Sequence, residues 1–151
     1  MTLFQPLLRI PVPWVFVLTY LVGVAMERLW PTTALAGRTL IGGIVFVIGA
    51  AIAGWGWGTF RKARTTTVPG EASSSLVTWG PYRFSRNPMY VGLTLGYLGE
   101  AGLLQQLWPV VLLPLTLAYV NWVVIPVEEA KLLEVFGGTY EQYRRRVRRW
   151  L

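Results

Sequence analysis

The chain contains no cysteine, no histidine and no aspartate. The absence of cysteine excludes disulfide bonds and thiol nucleophiles, and the absence of histidine excludes every catalytic triad built on imidazole. Zinc sites are excluded on the same grounds, so we expect no bound metal. A reaction that requires a general base would have to use glutamate, tyrosine or lysine.

Charge is also scarce, because 14% of the 151 residues are charged whereas 54% are hydrophobic. This composition is typical of an integral membrane protein and not of a soluble domain. The net charge of +7 would suit a nucleic-acid-binding protein, but the charges flank apolar segments. Orientation in a membrane explains that distribution better, so we expect a membrane partner and no nucleic acid.

Four apolar segments predict an all-α integral membrane protein with a single membrane domain over residues 1–151. A spanning helix needs about 20 apolar residues, and the predicted spans are residues 11–30, 40–60, 88–107 and 109–127. Beyond them, residues 128–136 predict an amphipathic helix that stops at Gly137 and Gly138. A second amphipathic helix is predicted from Tyr140 to Leu151, and we expect both helices on the cytoplasmic side.

The first span is followed by Ala34, Leu35 and Ala36, which resemble a signal-peptidase site. The span is too long for a signal peptide and ends in the charged pair Glu27-Arg28. Further spans also follow it. We therefore expect no cleavage there.

Glycine is frequent in the second and third spans. The second contains Gly42, Gly43, Gly49, Gly54, Gly56 and Gly58. Because small residues let helices approach closely, we expect helix packing there and not a phosphate-binding loop, which would need a preceding strand. Gly92, Gly96 and Gly99 share one face of the third span, where a neighbouring backbone or a flat ligand could approach. Packing is the simpler explanation.

The distribution of basic residues predicts that both termini lie in the cytoplasm. With four spans, twelve basic residues fall on that side and only Arg28 and Arg38 on the other. The cytoplasmic set comprises Arg9, Arg61, Lys62, Arg64, Arg83, Arg86, Lys131 and the five arginines of residues 144–149. The tail arginines are expected to attract anionic lipid headgroups.

The longest connection, residues 65–79, is a linker or a lid over a site.

Charged and aromatic residues gather at the predicted cytoplasmic edge of the membrane. Residues 80–92 have the sequence GPYRFSRNPMYVG, and Glu128 and Glu129 directly follow the fourth span. Arg83 and Arg86 offer planar forks for a carboxylate or a phosphate. The glutamates and the nearby aromatic rings suit a cation, the tyrosines being Tyr82, Tyr90, Tyr140 and Tyr143. A ligand site and a salt-bridged helix junction are both compatible with this pattern.

These motifs, together with FGGTYEQY at residues 136–143, resemble those of the integral-membrane methyltransferases. That family includes isoprenylcysteine carboxyl methyltransferases and phosphatidylethanolamine N-methyltransferases. The resemblance covers residues 78–150, about half of the chain, and the combination of motifs is specific. The N-terminal half is similar only in consisting of two apolar spans.

The resemblance implies S-adenosylmethionine as the cofactor, bound at the cytoplasmic side. Arg86, Asn87, Pro88 and Tyr90 match the family's Arg-His/Asn-Pro-x-Tyr motif, and Glu128 and Glu129 match its paired acids. Gly96 and Gly99 match its glycine-bearing segment near the cofactor. With the candidates above, the expected cofactor-binding residues are Tyr82, Arg83, Asn87, Pro88, Tyr90, Gly96, Gly99, Glu128, Glu129 and Tyr140. The expected catalytic residues are Arg86, Tyr90 and Glu129.

The chain has Asn87 where many isoprenylcysteine enzymes carry histidine, and in this it is similar to the phosphatidylethanolamine branch. Asparagine still forms hydrogen bonds but cannot transfer a proton as imidazole does. A carboxylate acceptor needs only alignment, and the resemblance implies that Arg86 orients it. A lipid ammonium, in contrast, must first lose a proton. Glu128 or Glu129 would then serve as the base.

The expected function is methyl transfer to a lipophilic acceptor, either a phospholipid amine or a prenyl-type carboxylate. The alternative is a non-catalytic membrane scaffold or lipid-binding protein that retains the fold. The joint presence of Arg86, Tyr90, Glu128 and Glu129 favours the enzyme.

Overall fold

The computed structural model describes residues 11–63 and 75–151, and all regular structure within these ranges is helical. The helices are α1 (Val12–Leu29), α2 (Thr39–Ala63), α3 (Pro88–Leu103), α4 (Leu107–Tyr119) and α5 (Ile125–Arg146). A 3-10 turn at Gly80–Arg83 precedes α3, and a π-helical turn at Val120–Val124 joins α4 to α5. The prediction of an all-α membrane protein is confirmed. Residues 64–74, which include Arg64 and most of the predicted linker or lid, lie outside the described residues, as does Arg9.

Within the described part of the chain, three helical segments are long and apolar enough to cross a membrane, namely Val12–Leu29, Thr39–Ala63 and Leu107–Arg146. The first two agree closely with the predicted spans. The third predicted span was too long, because α3 ends at Leu103 and the chain turns at Gln105, whose φ is 59°. With 16 residues, α3 is about 24 Å long and shorter than the hydrocarbon core.

The separation of the fourth span from the amphipathic segment was predicted incorrectly. The chain runs without interruption from α4 through the π-helical turn into α5. Pro126 has no N–H to donate to a regular helix, and the π-helical turn just before it accommodates that loss. The predicted break at Gly137 is present, with φ 49° and ψ −127°, a conformation that glycine tolerates. The final helix ends at Arg146 and not at Leu151, because Val147 is extended.

The pairing of α2 with α3 depends on glycines that recur every seven residues. Gly42, Gly49 and Gly56 are buried on α2, and Gly92 and Gly99 are buried on α3. A Cβ atom at Gly49 would lie 2.7 Å from the carbonyl oxygen of Gly92. The backbones therefore touch, and the expected packing through small residues is what the structure has. This close contact fixes the start of α3 beside the end of α2.

The second pairing joins α1 to α4 through a core of aromatic rings. The ring of Tyr97 on α3 lies edge-on to Tyr20, at 4.9 Å between centroids, and its hydroxyl donates to the carbonyl oxygen of Pro109 at 2.9 Å. At the end of α1, Glu27 accepts hydrogen bonds from the backbone N–H groups of Leu107 and Trp108, at 2.8 and 3.1 Å. A carboxylate at a helix N-terminus is favourable, so Glu27 fixes where α4 begins.

We expect Gly49→Ala to lower the free energy of unfolding by about 1–3 kcal/mol, because the added methyl group forces two backbones apart. Gly54→Ala is the matched control, since a Cβ atom there meets nothing within 4 Å. Unfolding by SDS in mixed micelles, followed by circular dichroism, measures both variants. Equal stability of Gly49→Ala and Gly54→Ala would contradict the backbone contact.

Candidate functional site

The segment between the 3-10 turn and α3 positions Arg86 and Asn87. Pro88 begins α3, as is common for the first turn of a helix. Buried Ser85 accepts a hydrogen bond from the backbone N–H of Asn87 at 3.0 Å. The Asn87 amide donates to the carbonyl oxygen of Arg149 at 2.9 Å, and the backbone N–H of Arg86 donates to the carbonyl oxygen of Arg148 at 2.9 Å. The C-terminal residues therefore hold this segment in place.

A three-residue ionic cluster forms the centre of the site. Glu129 on α5 accepts from the Nη2 atom of Arg86 at 3.0 Å and from the Nη2 atom of Arg149 at 2.7 Å. The Nε atom of Arg149 also lies 3.2 Å from Oε1 of Glu129. The side chains of Arg86 and Glu129 are only 11% and 12% exposed. Because buried charges are tolerated only when paired, this cluster holds α3, α5 and the C-terminus together.

Arg86 has more donor groups than the cluster uses. Its Nε and Nη1 atoms are buried and have no hydrogen-bond partner among residues 11–63 and 75–151. A buried guanidinium N–H without an acceptor is costly, and most buried polar groups in proteins are paired. The Nε–H and Nη1–H groups point to different edges of the planar guanidinium, so each can donate to a separate acceptor oxygen. The site is therefore suited to an anionic group that is not part of the described chain.

Glu128 belongs to a separate pair, although it neighbours Glu129 in sequence. The hydroxyl of Tyr90 on α3 donates to Oε1 of Glu128 at 2.7 Å. The two glutamates thus join α5 to α3 through different partners. The structure brings together the expected catalytic residues Arg86 and Glu129, while Tyr90 contacts the adjacent carboxylate.

Tyrosines line the same end of the bundle. Tyr82 and Tyr140 are buried, and the hydroxyl of Tyr143 donates to the carbonyl oxygen of Tyr82 at 2.8 Å. Phe60 of α2 meets the Tyr82 ring edge-on at 5.1 Å between centroids. Burial, reinforced by Tyr143 and Glu128, raises the pKa of the Tyr82 hydroxyl, so it stays protonated at neutral pH. Tyr82 therefore presents a neutral aromatic surface at this end of the bundle.

Three expected cofactor-binding residues lie away from the ionic cluster. Arg83 is exposed on the 3-10 turn. Gly99 faces Phe46 of α2, where a Cβ atom would lie 2.8 Å from that of Phe46. A Cβ atom at Gly96 would meet none of the described residues within 4 Å, although the Gly96 backbone lies against Gly49 of α2. Contact of these residues with a cofactor stays a prediction.

Sequence reasoning missed the role of Arg149. It was grouped with the lipid-attracted tail arginines, yet its side chain pairs with Glu129 and its Nη1 atom lies 3.5 Å from the carbonyl oxygen of Asn121. The indole of Trp150 donates to Oδ1 of Asn121 at 3.0 Å. Two signals could have suggested this arrangement: a polar residue, Asn121, within an apolar span, and the apolar Trp150 after the basic tail.

An apolar groove of about 610 Å³ adjoins the cluster. Residues of α3, α4, the π-helical turn and the C-terminus line it: Val91, Thr94, Leu95, Leu117, Ala118, Asn121, Trp122, Trp150 and Leu151. Asn121 and the neighbours Arg149 and Trp150 connect the groove to the ionic cluster. A hydrocarbon chain and a charged headgroup could therefore occupy adjacent regions.

Comparisons with known proteins agree with these features. The family model described as phospholipid methyltransferase matches residues 37–139. The protein-S-isoprenylcysteine O-methyltransferase of Schizosaccharomyces pombe is 42% identical over 72 residues, which cover 48% of this chain and 30% of that relative. No solved structure matches. The resemblance noted in the sequence is confirmed, and the chain belongs to the phospholipid methyltransferase family.

Proposed function

We propose that this protein is a membrane methyltransferase that uses S-adenosylmethionine and methylates a lipophilic acceptor. The observation that carries the proposal is the pair of unpartnered donors on buried Arg86, beside an apolar groove. A scaffold would have no need of such donors, because an ion pair that only fixes helices is more stable when its hydrogen bonds are complete. Family membership supports the same activity.

The residues present fit the proposed donor. S-adenosylmethionine carries a carboxylate, an ammonium and a sulfonium. Either unpaired nitrogen of Arg86, Nε or Nη1, could donate a charge-assisted hydrogen bond to the carboxylate. Carboxylates and tyrosine rings recognise cations, and Glu128, Tyr82 and Tyr140 supply them at this end of the bundle. When bound, the donor supplies a methyl group activated by the positive sulfur.

The chain itself would contribute alignment and exclusion of water. Glu129 and Asn87 hold Arg86 and its backbone in place, so a bound carboxylate meets a preorganised hydrogen-bond donor. Placing a nucleophile in line with a methyl group can supply most of the rate increase in such a transfer. A carboxylate acceptor is already ionised and needs no base. A lipid amine would require a base, for which Glu128 is the candidate.

The acceptor that fits best is a prenyl-type carboxylate. The groove is lined mainly by apolar side chains and opens beside the cluster, so a hydrocarbon chain in the groove would leave its headgroup near Arg86. The name of the yeast relative, an O-methyltransferase of isoprenylcysteine, supports this choice. A phospholipid amine is the second candidate, because the matching family is described by phospholipid methylation.

We further propose that the site faces the cytoplasm within one membrane domain. The ionic cluster lies at the end of the bundle where α2 finishes with Arg61 and Lys62. Basic residues concentrate on the cytoplasmic side of membrane proteins. The water-soluble donor would then enter from the cytoplasm and the acceptor from the bilayer.

Arg86→Ala is expected to weaken binding of S-adenosylmethionine about 10- to 150-fold if the guanidinium holds the donor carboxylate, since each hydrogen bond to a charged group contributes about 1.5–3 kcal/mol. Isothermal titration calorimetry of the detergent-solubilised protein measures the change. Arg145→Ala is the matched control, because Arg145 is exposed on the outer face of α5. If Arg86 serves the acceptor, donor affinity is kept and the acceptor KM rises. An Arg86→Ala protein unchanged in both quantities would refute the site.

Ala118→Trp is expected to raise the KM for a lipophilic acceptor without changing donor affinity. The indole would fill the groove, which Ala118 lines, while the ionic cluster stays intact. Leu115→Trp on the same helix is the control, because Leu115 is 66% exposed and does not line the groove. Steady-state kinetics with a farnesylated cysteine derivative gives the comparison. Equal KM values for the two variants would exclude the groove as the acceptor site.

A further inference from the structure

We infer that Arg149 is a positioning residue that keeps the donor groups of Arg86 available for an anionic ligand. Arg149 lies beyond residues 37–139, which the family model matches. The inference rests on the proposed function, because the ligand of Arg86 is taken to be the donor or acceptor carboxylate. The C-terminal segment then contributes to the site and does not only attract lipid headgroups.

The geometry of Glu129 carries the inference. Arg149 takes both carboxylate oxygens, with Nε at 3.2 Å from Oε1 and Nη2 at 2.7 Å from Oε2. Arg86 reaches the same carboxylate through Nη2 alone, at 3.0 Å from Oε1. The two-point pair, which is the stronger arrangement of arginine with carboxylate, is therefore made by Arg149. Arg86 is left with Nε and Nη1 unpaired.

The C-terminal segment holds Arg149 at this position from both sides. The carbonyl oxygen of Arg149 accepts from the Asn87 amide at 2.9 Å. The next residue, Trp150, donates to Asn121 at 3.0 Å. The preceding carbonyl oxygen, of Arg148, accepts from the backbone of Arg86 at 2.9 Å. The C-terminal segment is therefore held in place by residues of the site itself. The Arg149 side chain points to Glu129 as a result.

Removal of Arg149 would leave Glu129 free to turn towards Arg86. A carboxylate and a guanidinium that share a buried site form a two-point pair when nothing competes. That pair would occupy a second nitrogen of Arg86 and leave fewer donors for the ligand. Arg149 therefore acts on the ligand through Glu129 and Arg86, without touching it.

The first test observes Arg86 without any ligand. Nitrogen-15 NMR of the arginine Nε–H groups is recorded for wild type, Arg149→Ala and Arg148→Ala in detergent, with the Arg86 signal assigned from Arg86→Lys. We expect the Arg86 Nε–H signal to move downfield in Arg149→Ala, as a new hydrogen bond to Glu129 forms. Arg148→Ala is the matched control, because it removes an exposed neighbouring charge and keeps the backbone. An Arg86 signal that is unchanged in folded Arg149→Ala would overturn the inference.

The second test measures ligand affinity by calorimetry with S-adenosylmethionine, or the acceptor KM if Arg86 serves the acceptor. We expect Arg149→Ala to weaken the Arg86 ligand about tenfold, the effect of losing one hydrogen bond to a charged group. When Glu129→Gln is already present, Arg149→Ala should weaken the affinity little further, because Arg149 acts on Arg86 only through the Glu129 carboxylate. An undiminished effect in that background would show that Arg149 only supports the fold, and would overturn the inference.

Arg149→Lys keeps the charge but not the planar fork, so it should fall between wild type and Arg149→Ala in both tests. It also provides a variant in case Arg149→Ala does not fold. A lysine variant identical to wild type would contradict a role for the two-point pair. If wild type binds neither S-adenosylmethionine nor acceptor, the proposed function fails, while the NMR result still decides how Arg149 acts on Arg86.

Discussion

The end of the bundle that carries the candidate site depends on one shared carboxylate. Glu129 is bound by Arg86 at the start of α3 and by Arg149 near the C-terminus. No other pair among the described residues joins these three parts of the chain through opposite charges. Both carboxylate oxygens of Glu129 are bound by arginines. Arg86, in contrast, keeps two donor nitrogens without an acceptor among the described residues. This asymmetry is the reason for proposing that the helix junction is also a binding site.

The glycine contacts make that asymmetry possible. Gly49 and Gly92 bring the backbones of α2 and α3 together, and α3 is too short to cross the membrane alone. Its start is consequently set by α2, which places Arg86 at the end of the bundle where α2 finishes. The π-helical turn between α4 and α5 places Asn121 where its side chain accepts a hydrogen bond from Trp150. Helix packing in the apolar region therefore decides where the charged groups meet.

Much of this arrangement could be predicted from the sequence, because hydropathy and charge act locally. The spans of α1 and α2, the break at Gly137 and the grouping of Arg86 with Glu129 follow from residues close in sequence or on one side of the membrane. Arg149 was not identified, since the tail arginines are alike in sequence and are distinguished only by the course of the chain after Arg146. The continuous α4–α5 helix was likewise missed, because a proline usually marks a boundary and a π-helical turn is not visible in composition.

The most direct test of the account is methyl transfer itself. Purified protein in phospholipid micelles is incubated with tritium-labelled S-adenosylmethionine and either N-acetyl-S-farnesylcysteine or phosphatidylethanolamine. The account predicts alkali-labile label, a methyl ester, on the farnesylated carboxylate, and its loss in Arg86→Ala. Alkali-stable label on the phospholipid would instead identify the amine as the acceptor. Transfer to neither acceptor by folded protein would contradict the account and favour a non-catalytic lipid-binding protein.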